Sequence, residues 1–236
     1  MTRPGRAPAT LDEARQALHD GAAVVLPNSA PLTRLVTARR PGTVNEAKAR
    51  RADQPVALWA HHPDTLGALA DIWHLDDGRS TMARRLLAEE HLTVLVPVRG
   101  TAVPAWALPA AKDGWMLLFG ARRQPLRPLL DDHPVLYVSS ANRTGHPPAA
   151  TTAEALAMFP DTVPVVALAA AEDPDDRHDP RGRQATTTVR LHPDGRMEIH
   201  RRGAQDRAFA GPAEYLRHLR QQYSPAEGPG PAATEE

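Results

Sequence analysis

The chain has 236 residues with 28 basic against 28 acidic side chains, and a formal charge of zero gives it no global field toward nucleic acid or anionic lipid. Hydrophobic residues make up 42% of it, enough for a real core and against wholesale disorder, and the length favours one large domain. The absence of cysteine excludes a disulfide framework, a thiolate zinc site and a cysteine nucleophile.

Helix and strand signals alternate along the chain. Thr10 with Glu13 forms a capping box ahead of a first helix ending near Gly21, and Ala22–Leu26, closed by Pro27, reads as a buried strand. Thr43 with Glu46 is expected to cap a second helix carrying Asn45 through Arg50. A strand over Val56–Ala60 precedes helices over Asp64–Trp73 and after Ser80. Leu92–Val98 and Trp115–Phe119 are strong strand candidates, Leu126–Leu130 a short helix, and Val135–Val138 a strand running into Ser139–Asn142. Thr151 with Glu154 caps a helix ending at Pro160, and Val163–Leu168 reads as a strand before a polar loop over Glu172–Arg183. Thr186–Leu191 and Arg196–Arg201 flank Asp194-Gly195, a two-residue hairpin signal, and a last helix spans about Ala213–Tyr223. The expected organisation is a flexible 1–9, one α/β domain over 10–223 with a sheet of mixed direction, and a disordered tail over 224–236.

Two short constellations carry chemistry. Lys48-Ala49-Arg50 pairs a compact ammonium with a planar guanidinium, suited to phosphate or carboxylate, although a basic helix end reads the same way. The signal is sharpened by composition, because the basic residues are nearly all arginine and Lys48 and Lys112 are the only lysines. Ser139-Ser140-Ala141-Asn142 follows a buried strand, where hydroxyl, amide and backbone N–H groups converge on ligands in α/β sheets; an ordinary polar turn has the same composition.

Together these segments resemble the YrdC/Sua5 family, whose signature is a Lys-x-Arg paired with a distant Ser-x-Asn, here Lys48, Arg50, Ser140 and Asn142. Val24–Pro27, Pro55, the strand Leu92-Thr93-Val94-Leu95, Thr187-Thr188-Val189, and Arg202-Gly203-Ala204 (for Arg-x-Gly-Ala, one residue shorter) agree in order over roughly residues 10 to 205. The resemblance implies a YrdC-like (RibB-like) α/β fold, a twisted mixed sheet with flanking helices. It implies the synthesis of L-threonylcarbamoyl-AMP and pyrophosphate from threonine, bicarbonate and ATP with Mg2+, for modification of adenosine 37 in tRNA. Lys48 and Arg50 would then be catalytic, Ser140, Asn142, Thr93, Thr188 and Arg202 would bind nucleotide and phosphate, and Asn28 and Leu32 would stand on the substrate side.

Departures stand beside these agreements, among them Glu90-His91 where the family has Pro-Gly before its Thr strand. Pro27-Asn28-Ser29-Ala30-Pro31-Leu32-Thr33-Arg34 stands where the family reads approximately Pro-Thr-Asp/Glu-Thr-x-Tyr/Phe-Gly-Leu, and Gly120 stands where it has an arginine, with Arg122 or Arg123 as substitutes. The nucleotide side is therefore better preserved than the amino-acid side. This leaves two other readings: a paralogue without synthase activity that binds double-stranded RNA or tRNA, and the same chemistry on another acceptor.

Other signals are weaker. His61-His62 and the run Glu172–Asp179 show no zinc-type spacing, so no metal site is expected. Walker and Rossmann glycine loops are missing, and the four tryptophans read as core. Met1–Pro8 has no apolar segment behind it and no run reaches the roughly 18–20 residues of a membrane span, so the expected setting is cytoplasmic with no membrane partner.

Overall fold

A computed structural model describes residues 6–120, 124–168 and 182–224. Helix α1 (Leu11–His19) starts at the expected capping box: Thr10 Oγ1 accepts from Glu13 N–H and Glu13 closes back on Thr10 N–H. It buries Ala14 and Leu18 and leads into β1 (Val24–Leu26). Next comes a strand the pattern did not reveal, β2 (Leu35–Ala38): all four residues are buried, so no alternation marks it. Helix α2 (Pro41–Ala47) starts two residues before the expected cap, because Pro41 sits at the first helical position, where its missing N–H costs nothing.

The remaining elements are β3 (Ala57–Trp59), α3 (Pro63–Ala70), α4 (Asp77–Ala88), β4 (Thr93–Pro97), β5 (Ala111–Lys112), β6 (Trp115–Phe119), α5 (Arg127–Asp131), β7 (Tyr137–Ser140), α6 (Thr152–Met158), β8 (Thr188–Leu191), β9 (Met197–Arg201) and α7 (Pro212–Tyr223). Helix α4 begins before Ser80 because Asp76, not Ser80, is its cap and accepts from Arg79 N–H at 2.8 Å. The capping box of α6 and the Asp194-Gly195 hairpin, with Gly195 at φ 84°, follow their sequence signals. Val163–Leu168 is not a ladder strand. Only single bridges tie Val165 to Val25 and Val166 to Ala9; Pro164 has no N–H to give and the Val163 N–H is spent on Pro160 O. The body of the Glu172–Arg183 loop and the tail from Pro225 lie outside the described residues.

The strands form one twisted, unclosed mixed sheet in the order β1-β2-β7-β3-β6-β4-β8-β9, with β5 beside β6. β3–β6 and β4–β8 are parallel and the other pairs antiparallel. One face carries the larger core, with Val36, Leu58, Leu86, Val94, Leu118 and Val189 among its members. The other face is packed by Leu18 of α1 and Leu129 and Leu130 of α5 against Leu26, Leu35, Trp59, Val138 and Phe119. That second layer stands over the β1 to β6 half of the sheet; beyond it Leu95, Trp115, Leu117 and Arg190 are half-buried. The boundary between covered and open sheet is where a cleft forms.

Gly120 closes β6 under the end of α4. A Cβ built there would lie 2.2 Å from Leu87 O, and the Gly120 N–H donates to Leu92 O at 2.9 Å. The position where the resemblance expects arginine therefore admits no side chain at all, and Arg122 and Arg123 lie outside the described residues. Gly120→Ala is expected to cost about 3 kcal/mol, since the obstacle is backbone that must shift bodily; urea denaturation measures it, and an unchanged midpoint would refute the close approach.

Candidate functional site

The site begins at the end of α2. Lys48 is its C-cap, and Ala49 at φ 51° takes the left-handed conformation that stops the helix. On a continued helix, residues two apart point about 200° from one another. The reversal at Ala49 brings Arg50 back to the side of Lys48. Asn45, fully buried, fixes the loop that follows: its Oδ1 accepts from Arg50 Nε at 2.5 Å, and its Nδ2 donates to Ala52 O and Gln54 O at 2.9 Å each. Asn45 was missed in the sequence because a polar residue in a short helix carries no pattern of its own.

The second half comes from β7. Lys48, only 4% exposed, donates from Nζ to Asn142 Oδ1 at 2.7 Å and to Ser140 O. Ser140 Oγ also donates to Asn142 Oδ1 at 2.7 Å, while Asn142 Nδ2 is turned to His146 O at 3.0 Å. Thr144 N–H and hydroxyl bond to Lys48 O, closing the two segments on each other. The Lys-x-Arg and Ser-x-Asn segments, some ninety residues apart in sequence, thus meet in space.

The third part is the β8–β9 end. The cleft, about 190 Å³, is walled by Arg50, Ser139, Ser140, Thr93, Thr186 and Arg201 around an apolar floor of Leu35, Ala57, Leu117, Phe119 and Val138. Asn28 and Thr33 complete it on the β1–β2 side. Thr93 and Thr186 hydroxyls lie 2.5 Å apart, and Arg201 Nη2 donates to Thr186 O at 3.0 Å.

Several expected site residues lie elsewhere. Arg202 is not in the wall; its Nε donates to Asp206 Oδ2 at 2.7 Å and its side chain is 60% exposed. Strand alternation decides this: β9 ends at Arg201, opposite Thr188, which puts Arg201 on the cleft face and Arg202 off it. With Arg201, the segment Arg201-Arg202-Gly203-Ala204 reads Arg-x-Gly-Ala at full length. Thr188 is buried beside Thr93 and Arg201 in the sheet, but Thr186, two residues earlier, supplies the wall. Leu32 packs into the core with Leu26 and Leu35 and is not a wall of the cleft, whereas Asn28 is.

Asp206 was missed too. It is fully buried and accepts from Gly203 N–H at 2.6 Å, Thr187 Oγ1 at 2.8 Å and Arg202, so it staples the turn after β9 under residues 186–187.

Lys48, Arg50 and Arg201 form one electrostatic group. Burial first, then the like charges of Arg50 and Arg201, push the Lys48 pKa down to about 7. Burial lowers both guanidiniums as well, though these stay charged. Among the described residues no carboxylate pairs with any of the three. A cluster of like charges, with Lys48 buried, Arg50 half-buried, Arg201 at the rim and no counter-charge among the described residues, is a preformed anion site, since an entering anion removes the repulsion that the fold has built in. Among the described residues no carboxylate lines the cleft, and no group of His, Asp and Glu is able to hold a metal. These walls do not fit a resident Mg2+, whose hard-cation chemistry needs oxygen anions. Among the described residues no helix is long and apolar enough to cross a membrane.

Comparison with known proteins shows the family and the fold. The family model Sua5/YciO/YrdC, described as "Telomere recombination", matches residues 16–203. Among solved structures, Sua5 from P. abyssi, complexed with L-threonine, superposes with a TM-score of 0.60 at 16% identity, covering 82% of this chain and 54% of that one. E. coli YciO gives 0.58 at 12% identity, covering 82% and 88%. Full-length HypF in its phosphate- and nucleotide-bound form gives 0.58 at 15% identity, covering 84% and 30%. This chain therefore spans about half the length of the Sua5 protein it matches. No curated protein matches it in sequence.

Proposed function

The chain belongs to the Sua5/YciO/YrdC family, and from that premise we propose that it is an ATP-dependent nucleotidyltransferase resembling L-threonylcarbamoyladenylate synthase. The substrates would be ATP, bicarbonate and an amino acid, threonine first among them, and the products a carbamoyl-adenylate and pyrophosphate. The observation that carries this reading is the acid-free cluster of Lys48, Arg50 and Arg201 beside Ser140. Nucleotidyl transfer to a carbamate oxygen asks for charge neutralisation and alignment more than for a strong base, and these residues offer both. Mg2+ would enter as part of the ATP substrate, coordinated by phosphate oxygens and water.

In this reading Arg50 and Arg201 hold phosphate or carbamate oxygens from two sides, Lys48 neutralises the charge between them, and the Ser139, Ser140, Thr93 and Thr186 hydroxyls complete the shell. Ser140 and Asn142 keep Lys48 in place. The apolar floor favours a small ligand over an RNA backbone, because it offers a partly dry concavity rather than a tracked groove.

Purified protein with ATP, bicarbonate and threonine is expected to release pyrophosphate, and Lys48→Ala to reduce the rate at least about 100-fold. No release with any amino acid would overturn the enzymatic reading. Salt-sensitive binding of double-stranded RNA or tRNA without release would favour the non-synthase paralogue, and release with an amino acid other than threonine the altered acceptor.

A further inference from the structure

The Lys48 nitrogen has a geometry that anion binding alone does not require. Two of its three outward positions are spent on Ser140 O and Asn142 Oδ1. In the ammonium, the third position carries an N–H amid the like charge of Arg50 and Arg201. In the free amine, it carries a lone pair, and since Ser140, to which Lys48 donates, lines the same cleft as Arg50 and Arg201, that amine is a nucleophile next to an anion trap.

We propose that Lys48 is a carbamylation site, reacting reversibly with dissolved carbon dioxide to give a lysine carbamate held by Arg50 and Arg201. The amine lone pair forms the N–C bond, one C=O π pair moves to oxygen, and one N–H proton leaves to solvent; no oxidant, reductant or further reactant is needed. The depressed Lys48 pKa of about 7 supplies the free amine near neutrality, and carbon dioxide is small and uncharged enough to reach a side chain that is nearly buried.

The product satisfies its surroundings. The carbamate nitrogen keeps one N–H for Ser140 O, and Asn142 Oδ1 is still served by Ser140 Oγ at 2.7 Å, so neither acceptor is orphaned. Arg50 spends Nε on Asn45 and Nη2 on Pro55 O, and Arg201 spends Nη2 on Thr186 O; each retains donors for the two new oxygens. The carbamate supplies the carboxylate that the described cleft walls lack and lowers the charge of this cluster from three positive to one. The modified form is thus an off state for anion binding, set by carbon dioxide. This goes beyond the nucleotidyl-transfer reading and requires only the cation cluster.

The test exploits the two lysines. Lys112 is exposed on β5, away from the cleft walls, and Lys112→Arg leaves Lys48 as the sole lysine. That variant, labelled with nitrogen-15 lysine and equilibrated with carbon-13 bicarbonate at about pH 8.5, is expected to show a carbamate carbon split by the lysine nitrogen. Saturating sulfate is expected to suppress the signal, and Arg201→Gln to weaken it. Lys48→Met should abolish it, but the nitrogen coupling assigns the signal even if that variant does not fold. A folded Lys112→Arg protein without the coupled resonance at high bicarbonate would overturn the proposal. Pyrophosphate release without a carbamate signal defeats this inference and leaves the proposed activity standing; a carbamate signal without release does the reverse.

Discussion

Sulfate is expected to bind this protein at least tenfold more weakly at about pH 9 than at about pH 6 in buffer free of carbon dioxide, and Lys48→Met is expected to abolish that dependence. Sulfate is the suitable probe because its own charge does not change over this range. The sign follows from where the proton sits. In the free protein burial, Arg50 and Arg201 hold the Lys48 pKa at about 7; an anion between them raises it, so binding takes up a proton between pH 7 and the pKa of the complex. Affinity is therefore full below pH 7 and falls as pH climbs from 7 toward the pKa of the complex, about tenfold for each unit by which the anion raises it.

Stability without ligand runs the other way. The unfolded chain keeps the ordinary lysine value of 10.5 and binds the proton that the fold has given up, so Lys48 makes the fold more stable as pH rises from 7 toward 10.5. Calorimetric titration at the two pH values checks the first claim and thermal melts check the second. Sulfate affinity that stays flat between them, in a protein that still melts cooperatively, would mean that the ammonium is not part of the anion site.

Asp206→Ala is expected to destabilise the protein by about 3 kcal/mol. The side chain is 0% exposed, and its removal strands the Thr187 hydroxyl and the Gly203 N–H, while the Arg202 guanidinium is left to solvent. The neighbouring contacts make the turn unable to improvise: a Cβ at Gly203 would meet Ala185 O at 2.4 Å, and Gln205 bridges Thr187 N–H and His91 O at 2.8 and 3.0 Å. Asp206→Asn keeps the shape, loses the ion pair and is expected to fall between the two.

Burial opposes ionisation of Asp206, but the Gly203 N–H, Arg202 and Thr187 outweigh it and hold its pKa below the usual 3.8. Its ionised form thus contributes stability above the unfolded carboxylate's pKa, and that contribution is lost as pH falls through the depressed folded value. Urea midpoints at neutral and acid pH measure both effects. An Asp206→Ala protein as stable as the wild type would show that the staple is dispensable.

These two residues mark what was and was not legible beforehand. Lys48 was singled out because lysine is scarce in an arginine-rich chain, and its partnership with Ser140 and Asn142 came from motif order alone. Asp206 was invisible, since an aspartate followed by an arginine looks like any solvated turn until the fold folds Thr187 over it. Leu32 was assigned to the substrate side by alignment of a motif, but an apolar side chain goes where apolar contacts are offered, and Leu26 and Leu35 offer them. The second helix was drawn through Arg50 because capping residues at Thr43 and Glu46 looked sufficient, whereas Pro41 and the left-handed Ala49 set its ends.

By itself the sequence determined the elements with local causes. The capping boxes at Thr10 and Thr151, the Asp194-Gly195 turn, the strand of β6 and the charged Lys-x-Arg pair depend on neighbours within a few residues, and such signals survive without a fold. Only the tertiary structure decided which of Arg201 and Arg202 enters the cleft, why Gly120 carries no side chain, that Leu35–Ala38 is a strand, and that three cations share one site with no acid among the described residues. Each of those depends on strand register, on backbone approaching backbone, or on the field of charges distant in sequence, and these quantities exist only once the sheet has closed its order around them.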